Sequence, residues 1–516
     1  MYPGHFAART PEKPAAIASA SGASVTYAEL DKRSAALAGY LHAQGLRHGD
    51  AVAVFLENNL AYFDVAWAAL RSGLYMVTVS RHATADDAAY MVRDSGAKAI
   101  VSSVALTDLA DACVAETPEC TVRLLVGAQT EGWHDYEATL AAATRLPAEL
   151  ERKGDHMPYS SGTTGRPKGI RRPFEEGDIN EGFASHLVAH AIYDMSPETV
   201  YLSPAPLYHT APIQFCLRVH SAGGTVVMME RFDAESALAA IERYRVTHSQ
   251  WVPTMFVRML KLDAAQRAGW DLSSHRCAIH AAAPCPVEVK RQMIEWWGPI
   301  VEEYYAGSER NGSTRISSAE WLSKPGSVGR PSNCVVHICS EEGVEQPTGE
   351  AGVIYFEQPG TNFVYHNDPE KTRDSTHPQH SGWSTLGDVG YLDEDGYLFL
   401  TDRKSFMIIS GGVNIYPRII EDALILHPDV ADIAVIGVPN EEFGEEVKAI
   451  VEPAAGVNAD SVLEQRIIAF AREQLAHTMV PRSVDFLETM PRLPTGKLPK
   501  RILRDPYWVD AGRKRI

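Results

Sequence analysis

An alternation of short apolar runs with amphipathic helix patterns constrains the fold of this chain more than any other feature. Residues 51–56, 75–80 and 97–102 have the length and the apolar composition of buried strands. Helix patterns occupy residues 60–74 and begin again after Thr84, a residue type that caps helices. Strands and helices in this order predict βαβ units and a largely parallel sheet.

The same alternation indicates where a ligand binds. It resumes between residues 185 and 305, and the candidate strands there are 226–229, 248–252, 277–280 and 300–304. In sheets of this kind ligands bind beyond the carboxyl ends of the strands. Loop 159–169 is expected to emerge at that edge.

The pattern changes twice in the second half of the chain. From about residue 326, glycine, proline and short apolar runs predict a small β-rich subdomain. Residues 391–400 read as a hairpin that turns at Asp395-Gly396. After Asp402 the pattern restarts as a small α/β unit, with a strand at 430–438, a helix at 461–476 and a strand at 484–487. We therefore predict an α/β fold with an N-terminal domain of several α/β and β subdomains (residues 1–401) and a small α+β C-terminal domain (residues 402–516).

The overall charge limits the classes of function. The 516 residues carry a formal net charge of -18. General nucleic-acid and membrane-surface binders need basic faces, so both classes are disfavoured. A nucleotide site depends on the charges close to it and not on the net charge of the chain, so it is not excluded.

The cysteines and the N-terminus indicate a cytoplasmic protein. The seven cysteines are scattered and no pair has C-x-x-C spacing, which predicts reduced thiols and no zinc site. The N-terminus lacks the apolar segment of a signal peptide, and no apolar run approaches the ~20 residues of a membrane span.

Loop 159–169 has the composition of a phosphate-binding loop. Glycines let backbone N–H groups approach an anion, hydroxyls donate further hydrogen bonds, and Lys168 adds positive charge. Its spacing is not that of the Walker loop. An ordinary surface loop is the alternative, but the nearby Arg166, Arg171 and Arg172 supply positive charge in an otherwise acidic chain. The candidate nucleotide-binding residues of this loop are Ser160, Ser161, Gly162, Thr163, Thr164, Gly165 and Lys168.

Six motifs taken together resemble those of a known superfamily. Loop 159–169 resembles the signature loop of the adenylate-forming enzymes, which include acyl-CoA synthetases, the adenylation domains of peptide synthetases and firefly luciferase. The further motifs follow in the family's order at residues 206–209, 305–309, 386–391, 402–404 with 410–417, and 494–497. The resemblance extends over about residues 20 to 505.

The resemblance implies a two-step reaction that uses ATP, Mg²⁺ and coenzyme A. A carboxylate attacks the α-phosphate of ATP, which gives an acyl-adenylate and pyrophosphate, and a thiol then displaces AMP. Because the first step joins two anions, it needs alignment and electrostatic stabilisation more than a general base. Lys497 is the implied catalytic cation. A solvated surface lysine is the alternative for a lone residue of this type.

Roles for the nucleotide-binding residues follow from the same resemblance. Glu309 is expected to hold Mg²⁺, which prefers carboxylate and phosphate oxygens; a surface salt bridge is the alternative. Ser308 stands where the family prefers threonine and keeps a hydroxyl for the α-phosphate. Tyr305 is expected to stack on adenine, Asp388 to accept hydrogen bonds from the ribose, and Arg403 to donate to the ribose or phosphate.

The remaining implied residues concern the acyl group and the second step. His209 is expected to border the acyl carboxylate, with a purely structural histidine as the alternative. Ala281 and Ala282 replace a glycine-rich segment and are expected to border adenine and the acyl pocket. Arg310 is expected either to meet a polar acyl substrate or to pair with Glu309 or Glu302. Asp402 is the implied hinge of a mobile C-terminal domain, whose rotation would withdraw Lys497 and bring Gly411 and Gly412 to the thiol channel.

The sequence therefore predicts an AMP-forming acyl-CoA synthetase that activates a fatty, aryl or steroid-side-chain acid. One alternative is a synthetase that delivers the acyl group to an amine, and another is a non-catalytic nucleotide-binding protein. Loading of a carrier protein and luciferase-type oxidation are further options. The expected partners are the carboxylic acid, ATP and CoA, with no nucleic acid; the assembly is left open, with a homodimer as one option.

Overall fold

A computed structural model of the protein describes residues 1–160, 166–358, 363–403, 407–492 and 498–510. The fold is mixed α/β, with a large N-terminal domain and a small C-terminal domain, as predicted. Within the described ranges, no helix combines the length and apolarity that crossing a membrane requires. The seven cysteines are all free thiols.

The helices are numbered in chain order. They are α1 (Pro3–Arg9), α2 (Tyr27–Ala43), α3 (Ala61–Arg71), α4 (Ala85–Ser95), α5 (Thr107–Ala115), α6 (Tyr136–Ala142), α7 (Ala184–Tyr193), α8 (Thr210–Ala222), α9 (Ala234–Tyr244), α10 (Pro253–Leu260), α11 (Ala264–Ala268), α12 (Val287–Trp297), α13 (Ser318–Ser323), α14 (Pro369–Asp374), α15 (Pro417–Leu424), α16 (Ser461–Gln474) and α17 (Lys500–Asp510).

The strands follow in the same order. They are β1 (Pro14–Ala18), β2 (Ser24–Thr26), β3 (Ala51–Phe55), β4 (Tyr75–Thr78), β5 (Ala97–Ser103), β6 (Val122–Val126), β7 (His134–Asp135), β8 (Asp155–His156), β9 (Tyr159–Ser160), β10 (Lys168–Arg171), β11 (Val200–Ser203), β12 (Thr225–Met228), β13 (His248–Trp251), β14 (Cys277–His280), β15 (Val301–Ala306), β16 (Ser313–Ile316), β17 (Ser327–Pro331), β18 (Val335–Cys339), β19 (Gly352–Glu357), β20 (Val364–Tyr365), β21 (Trp383–Leu392), β22 (Leu398–Arg403), β23 (Ile408–Ser410), β24 (Val413–Ile415), β25 (Val430–Asn440), β26 (Gly444–Pro453) and β27 (Ser483–Phe486).

The first predicted βαβ units form a parallel sheet with strand order β7-β6-β5-β3-β4-β8. The strand predictions at 51–56, 75–80 and 97–102 are confirmed to within two residues at each end. Helix α3, which connects β3 to β4, is buried along its whole length. Its complete burial explains why its sequence is apolar on every side.

A second, larger sheet places the candidate site. Its order is β18-β19-β21-β22-β17-β16-β15-β14-β13-β11-β12-β1-β2. Strands β11 to β15 are parallel to their neighbours, and the sheet turns antiparallel from β15 onward. The β-rich region predicted after residue 326 is present, and its strands β17, β22, β21, β19 and β18 continue the large sheet. The hairpin β15–β16 extends the parallel sheet at its edge, so the later strands add to it by main-chain hydrogen bonds.

The C-terminal domain has its own sheet, in which β26 pairs with β25, β23 and β27. The predictions of a strand at 430–438, a helix at 461–476 and a strand at 484–487 are confirmed. The side chain of Lys261 on the N-terminal side donates to the carbonyl of Val430 at the start of β25. The boundary at Asp402 stays a prediction.

Candidate functional site

Two short strands hold the glycine-rich loop. Ser160 on β9 pairs with Lys168 on β10, so the two ends of the loop are fixed beside each other. The Lys168 ammonium forms an ion pair with Asp368 at the start of α14. The predicted residues Ser161, Gly162, Thr163, Thr164 and Gly165 lie outside the described residues.

Tyr305 and Asp388 come from different motifs and meet in the folded chain. Tyr305 lies near the end of β15, and its hydroxyl donates to Asp388 Oδ2 on β21 over 2.7 Å. The Tyr305 ring packs against Phe356, with 5.9 Å between ring centroids. The hydrogen bond fixes the position of the aromatic ring and occupies part of the accepting capacity of Asp388.

Glu309 has the properties of a ligand for a hard cation. Its side chain is buried, with 8% of the residue exposed, and its Oε1 accepts a hydrogen bond from the Tyr365 hydroxyl over 2.8 Å. Within the described residues no cation pairs with this carboxylate. Buried carboxylates are normally paired or bound to a metal. Mg²⁺ takes one or two carboxylates together with phosphate oxygens and water, so Glu309 fits this ion.

Ser308 is held from two directions. Its hydroxyl lies 3.0 Å from the hydroxyl of Thr210, the first residue of α8. Its carbonyl accepts from Arg172 Nη1 over 2.9 Å, and Arg172 is itself paired with Asp155 at 3.0 Å. These contacts place the Ser308 side chain between the end of β15 and the N-terminus of α8.

His209 is the N-cap residue of α8 and precedes Thr210, whose hydroxyl contacts Ser308. Its backbone is extended, and its ring packs on that of Tyr208 with centroids 4.3 Å apart. Because α8 starts here, the open N–H groups of its first turn lie next to His209. The role of His209 at the acyl carboxylate stays a prediction.

The segment after β14 is strained. Ala282 has a φ of +75°, a conformation that costs energy in any residue with a Cβ. Ala281 before it is buried and donates its N–H to the carbonyl of Trp251 at the end of β13. His280, at the end of β14, is fully buried with its Nε2 3.5 Å from Glu303, behind the strand ends.

Arg310 does not form the predicted ion pair with Glu309 or Glu302. Its φ is +55°, in the left-handed region. Its Nη2 donates to Gln214 Oε1 over 2.8 Å, and its Nη1 lies 3.7 Å from Asp155. Burial and the nearby Arg172 lower the pKa of Arg310 to about 10. The pairing with Glu309 or Glu302 is therefore wrong. The contacts to Gln214 and Asp155 were missed because they join residues that are far apart in sequence.

The C-terminal candidates are only partly described. Lys497 lies outside the described residues, as do the side chains of Asp402 and Arg403. The backbone register pairs Arg403 with Asp388, so both positions adjoin each other on β22 and β21. Gly411 and Gly412 both have positive φ, 57° and 81°, which glycine adopts without strain.

Comparison with known proteins shows the family. The sequence profile of the AMP-binding enzyme family matches residues 4–366, and that of the AMP-binding enzyme C-terminal domain matches residues 419–497. The chain belongs to this family, within the adenylate-forming superfamily. It is 31% identical over 488 residues to a long-chain-fatty-acid–CoA ligase of Mycobacterium tuberculosis, with 94% of this chain and 93% of that protein covered. It is 33% identical over 501 residues to a feruloyl-CoA synthase of a Streptomyces species, with 94% of each covered.

Two solved structures share the whole fold. One is o-succinylbenzoate CoA synthetase of Bacillus subtilis in complex with its acyl-adenylate intermediate, with a TM-score of 0.81, 26% identity and coverage of 98% of this chain and 97% of that one. The other is an amide bond synthetase of Marinactinospora thermotolerans, with a TM-score of 0.78, 27% identity and coverage of 96% and 97%. The family therefore includes both ligases to CoA and an enzyme that makes amides.

Proposed function

We propose that this protein is an ATP-dependent, AMP-forming acyl-CoA synthetase that activates a fatty, aryl or steroid-side-chain acid. The observation that carries the proposal is the convergence of separate motifs at one edge of the large sheet. Tyr305 contacts Asp388, Ser308 contacts Thr210 next to His209, and Glu309 lies buried between them and Tyr365. The two relatives compared by sequence are CoA ligases, which supports CoA as the acceptor.

In the first step, the residues of the site align two anions. Asp388 and Tyr305 hold the nucleoside, with Asp388 accepting from the ribose and the Tyr305 ring lying against adenine. Glu309 holds Mg²⁺, which neutralises the phosphates when bound. The loop from Ser160 to Lys168 binds the departing pyrophosphate. Lys497 brings positive charge to the carboxylate and the α-phosphate, and His209 borders the acyl carboxylate.

The ion pair of Lys168 with Asp368 bears on how the loop works. The Lys168 charge is compensated by the Asp368 carboxylate. A polyphosphate carries more negative charge than one carboxylate, so it competes for the ammonium. We infer that ATP binding transfers the Lys168 ammonium from Asp368 to the phosphates.

In the second step, the C-terminal domain rotates about Asp402. Rotation removes Lys497 from the adenylate and brings Gly411 and Gly412 toward it. Without side chains, these glycines leave room for the narrow pantetheine arm of CoA. The proposed location of the reaction is the cytoplasm.

The second candidate function is amide synthesis. It is favoured by the similarity of this chain to an amide bond synthetase, with which it shares the fold and 27% sequence identity. Adenylation is common to both functions, so only the acceptor separates them.

The test is acceptor-dependent release of AMP. The purified protein is incubated with ATP, Mg²⁺ and a panel of aliphatic, aryl and steroid-side-chain acids, and AMP is measured with CoA, with primary amines, or with neither. We expect AMP and acyl-CoA to form with CoA. Acid-dependent AMP release that requires an amine and ignores CoA would favour the amide synthetase. Conversion of ATP to AMP with no acyl product at all would contradict both.

A further inference from the structure

One face of α8 leads from the reaction centre into the protein interior. Thr210, Gln214 and Arg218 are spaced four residues apart, so their side chains lie on the same face of the helix. Thr210 contacts Ser308 and Gln214 accepts a hydrogen bond from Arg310. Arg218 is the next position along this face, about 12 Å from Thr210 at 1.5 Å per residue.

Arg218 borders accessible space inside an otherwise buried stretch. Every residue from Pro212 to Ala222 is buried except Arg218. The neighbouring aromatic residues Tyr193 and Tyr304 also retain some accessibility. The Arg218 guanidinium lies over the ring of Phe215, 4.7 Å from its centroid. Arginine side chains on helices lean toward the N-terminus, so this guanidinium points back along α8 toward the reaction centre.

The charge of Arg218 is not compensated in the part of the chain that the structure describes. Its Nε is buried without a hydrogen-bond partner, and its guanidinium forms no ion pair with any described carboxylate. The ionisable groups that face it are the hydroxyls of Tyr193, Tyr201 and Tyr304. Burial lowers the pKa of Arg218 below its ordinary value.

The surroundings add positive charge and a free acceptor. Arg310 lies near Arg218 and adds positive charge, whereas burial lowers the pKa of the neighbouring His186 on α7 well below its ordinary value, so that its imidazole is neutral. Gln250 on β13 donates to the Tyr304 hydroxyl, while its own Oε1 is buried without a partner. A pocket for a purely apolar acyl chain would not place an unpaired guanidinium at its far end, because an unpaired buried charge is strongly destabilising.

We propose that the acid activated by this enzyme carries a second carboxylate at its far end, and that Arg218 binds it. The inference rests on the proposed adenylation function and narrows its substrate class to acids with two separated anionic groups. Carboxylates match the planar guanidinium and can be bound through two hydrogen bonds. The alternative is that Arg218 only covers the ring of Phe215.

The test compares matched acids that differ only in the far group. Acid-dependent pyrophosphate release is measured with hexanoate, octanoate and decanoate and with the corresponding dioic acids. We expect the preferred dioic acid to have a kcat/KM about 10- to 100-fold above that of its monoacid, mainly through KM, as a charged hydrogen bond would give. Arg218→Met should remove this preference and leave the monoacid rate within about threefold. Arg218→Lys should keep part of it, since the charge remains without the fork of donors.

A charge reversal separates binding from packing. Arg218→Glu should no longer activate the dioic acid and should activate the ω-amino acid of the same length, because the introduced carboxylate pairs with the ammonium of that substrate. Arg231→Met, at an exposed position after β12, is the control for loss of an arginine. All variants are checked for folding by thermal unfolding.

Failure of the substrate inference and failure of the adenylation function give different results. If monoacids are activated as well as dioic acids and Arg218→Met lowers both equally, Arg218 is a packing residue and the substrate inference is overturned. If no acid of either series supports pyrophosphate release, the proposed adenylation function itself fails.

Discussion

At the scale of single residues, the pair of Tyr305 and Asp388 defines the nucleoside end of the site. The Tyr305 hydroxyl donates to Asp388 Oδ2 over 2.7 Å, so it orients the carboxylate that we propose as the acceptor for the ribose hydroxyls. Tyr305 thus has two separable parts, a ring and a hydroxyl that orients Asp388.

Substitutions at Tyr305 are expected to separate these parts. Tyr305→Phe keeps the ring and should raise the KM for ATP less than about tenfold, which corresponds to one hydrogen bond. Tyr305→Ala removes the ring as well and should raise it further. Steady-state kinetics at saturating acid measures both. Equal effects of the two substitutions would show that the ring does not contact the nucleotide.

Glu309 is expected to control the need for magnesium. Glu309→Gln keeps the shape and the hydrogen bond from Tyr365 but removes the charge, so kcat should fall about 10²- to 10³-fold and the Mg²⁺ concentration for half-maximal rate should rise. The matched control is Tyr365→Phe, which removes only the hydroxyl that contacts Glu309. A Glu309→Gln enzyme with an unchanged Mg²⁺ dependence would contradict the metal role.

At the scale of elements, the end of α3 is fastened to its neighbours by one arginine. Arg71 is almost fully buried and pairs with Glu151 at 2.6 Å and with Asp31 of α2 at 2.9 Å. It also donates to the Ser34 hydroxyl over 2.9 Å. The arginine thereby joins α2, α3 and the segment before β8.

Removal of Arg71 should destabilise the N-terminal domain. Arg71→Ala leaves two carboxylates buried without this partner, and loss of one member of a buried ion pair costs about 3–5 kcal/mol. The free energy of unfolding from urea titration measures the loss. Arg93→Ala is the control, because Arg93 donates from the last turn of α4 to the carbonyl of Glu116 in an exposed setting; it should cost less than about 1 kcal/mol. Similar losses of unfolding free energy in both variants would contradict the stabilising role of the buried Arg71 ion pairs.

The elements themselves could be predicted from the sequence, while their long-range contacts could not. Strands β3, β4 and β12 are evident in the sequence as short apolar runs, which burial on both faces requires. The pairing of Lys168 with Asp368 joins residues 200 positions apart, and that of Arg310 with Gln214 joins residues 96 apart. No local pattern encodes such pairs. The left-handed backbone at Arg310 was equally hidden, because arginine carries no preference for it.

The sequence contains a signal that could have predicted the polar face of α8. Thr210, Gln214 and Arg218 are polar at helical spacing within an apolar stretch. Polar residues repeated every four positions on a buried helix indicate a face that contacts polar groups or a ligand and does not pack in the apolar core.

At the scale of the whole molecule, the buried histidines make stability depend on pH. Burial lowers the pKa of each of His156, His220, His275 and His280 to about 3. Below about pH 6.5 the unfolded chain binds protons at these histidines and the folded chain does not, so stability falls as pH falls. Each contributes about 1.4 kcal/mol per pH unit. Asp64 acts in the opposite direction between its usual pKa and its folded pKa of about 7, which burial raises.

Burial also lowers the pKa of His186, His190 and His248. Because these histidines and the four above outweigh one aspartate, the net prediction is a loss of several kcal/mol between pH 7 and pH 5. Urea unfolding followed by fluorescence at several pH values measures it. His134, which is exposed, offers the control: His134→Gln should leave the slope unchanged, whereas His275→Gln should reduce it. A free energy of unfolding that stays constant or rises as the pH is lowered would contradict this prediction.

We propose that this chain adenylates a carboxylic acid at a site completed by its C-terminal domain. Acid-dependent exchange of labelled pyrophosphate into ATP reports that step without regard to the final acceptor. We expect exchange in the wild-type protein with at least one acid, and its loss by about 10²-fold or more in Lys497→Ala, while ATP binding measured by calorimetry persists. Exchange that is as fast in Lys497→Ala as in the wild type would contradict the claim.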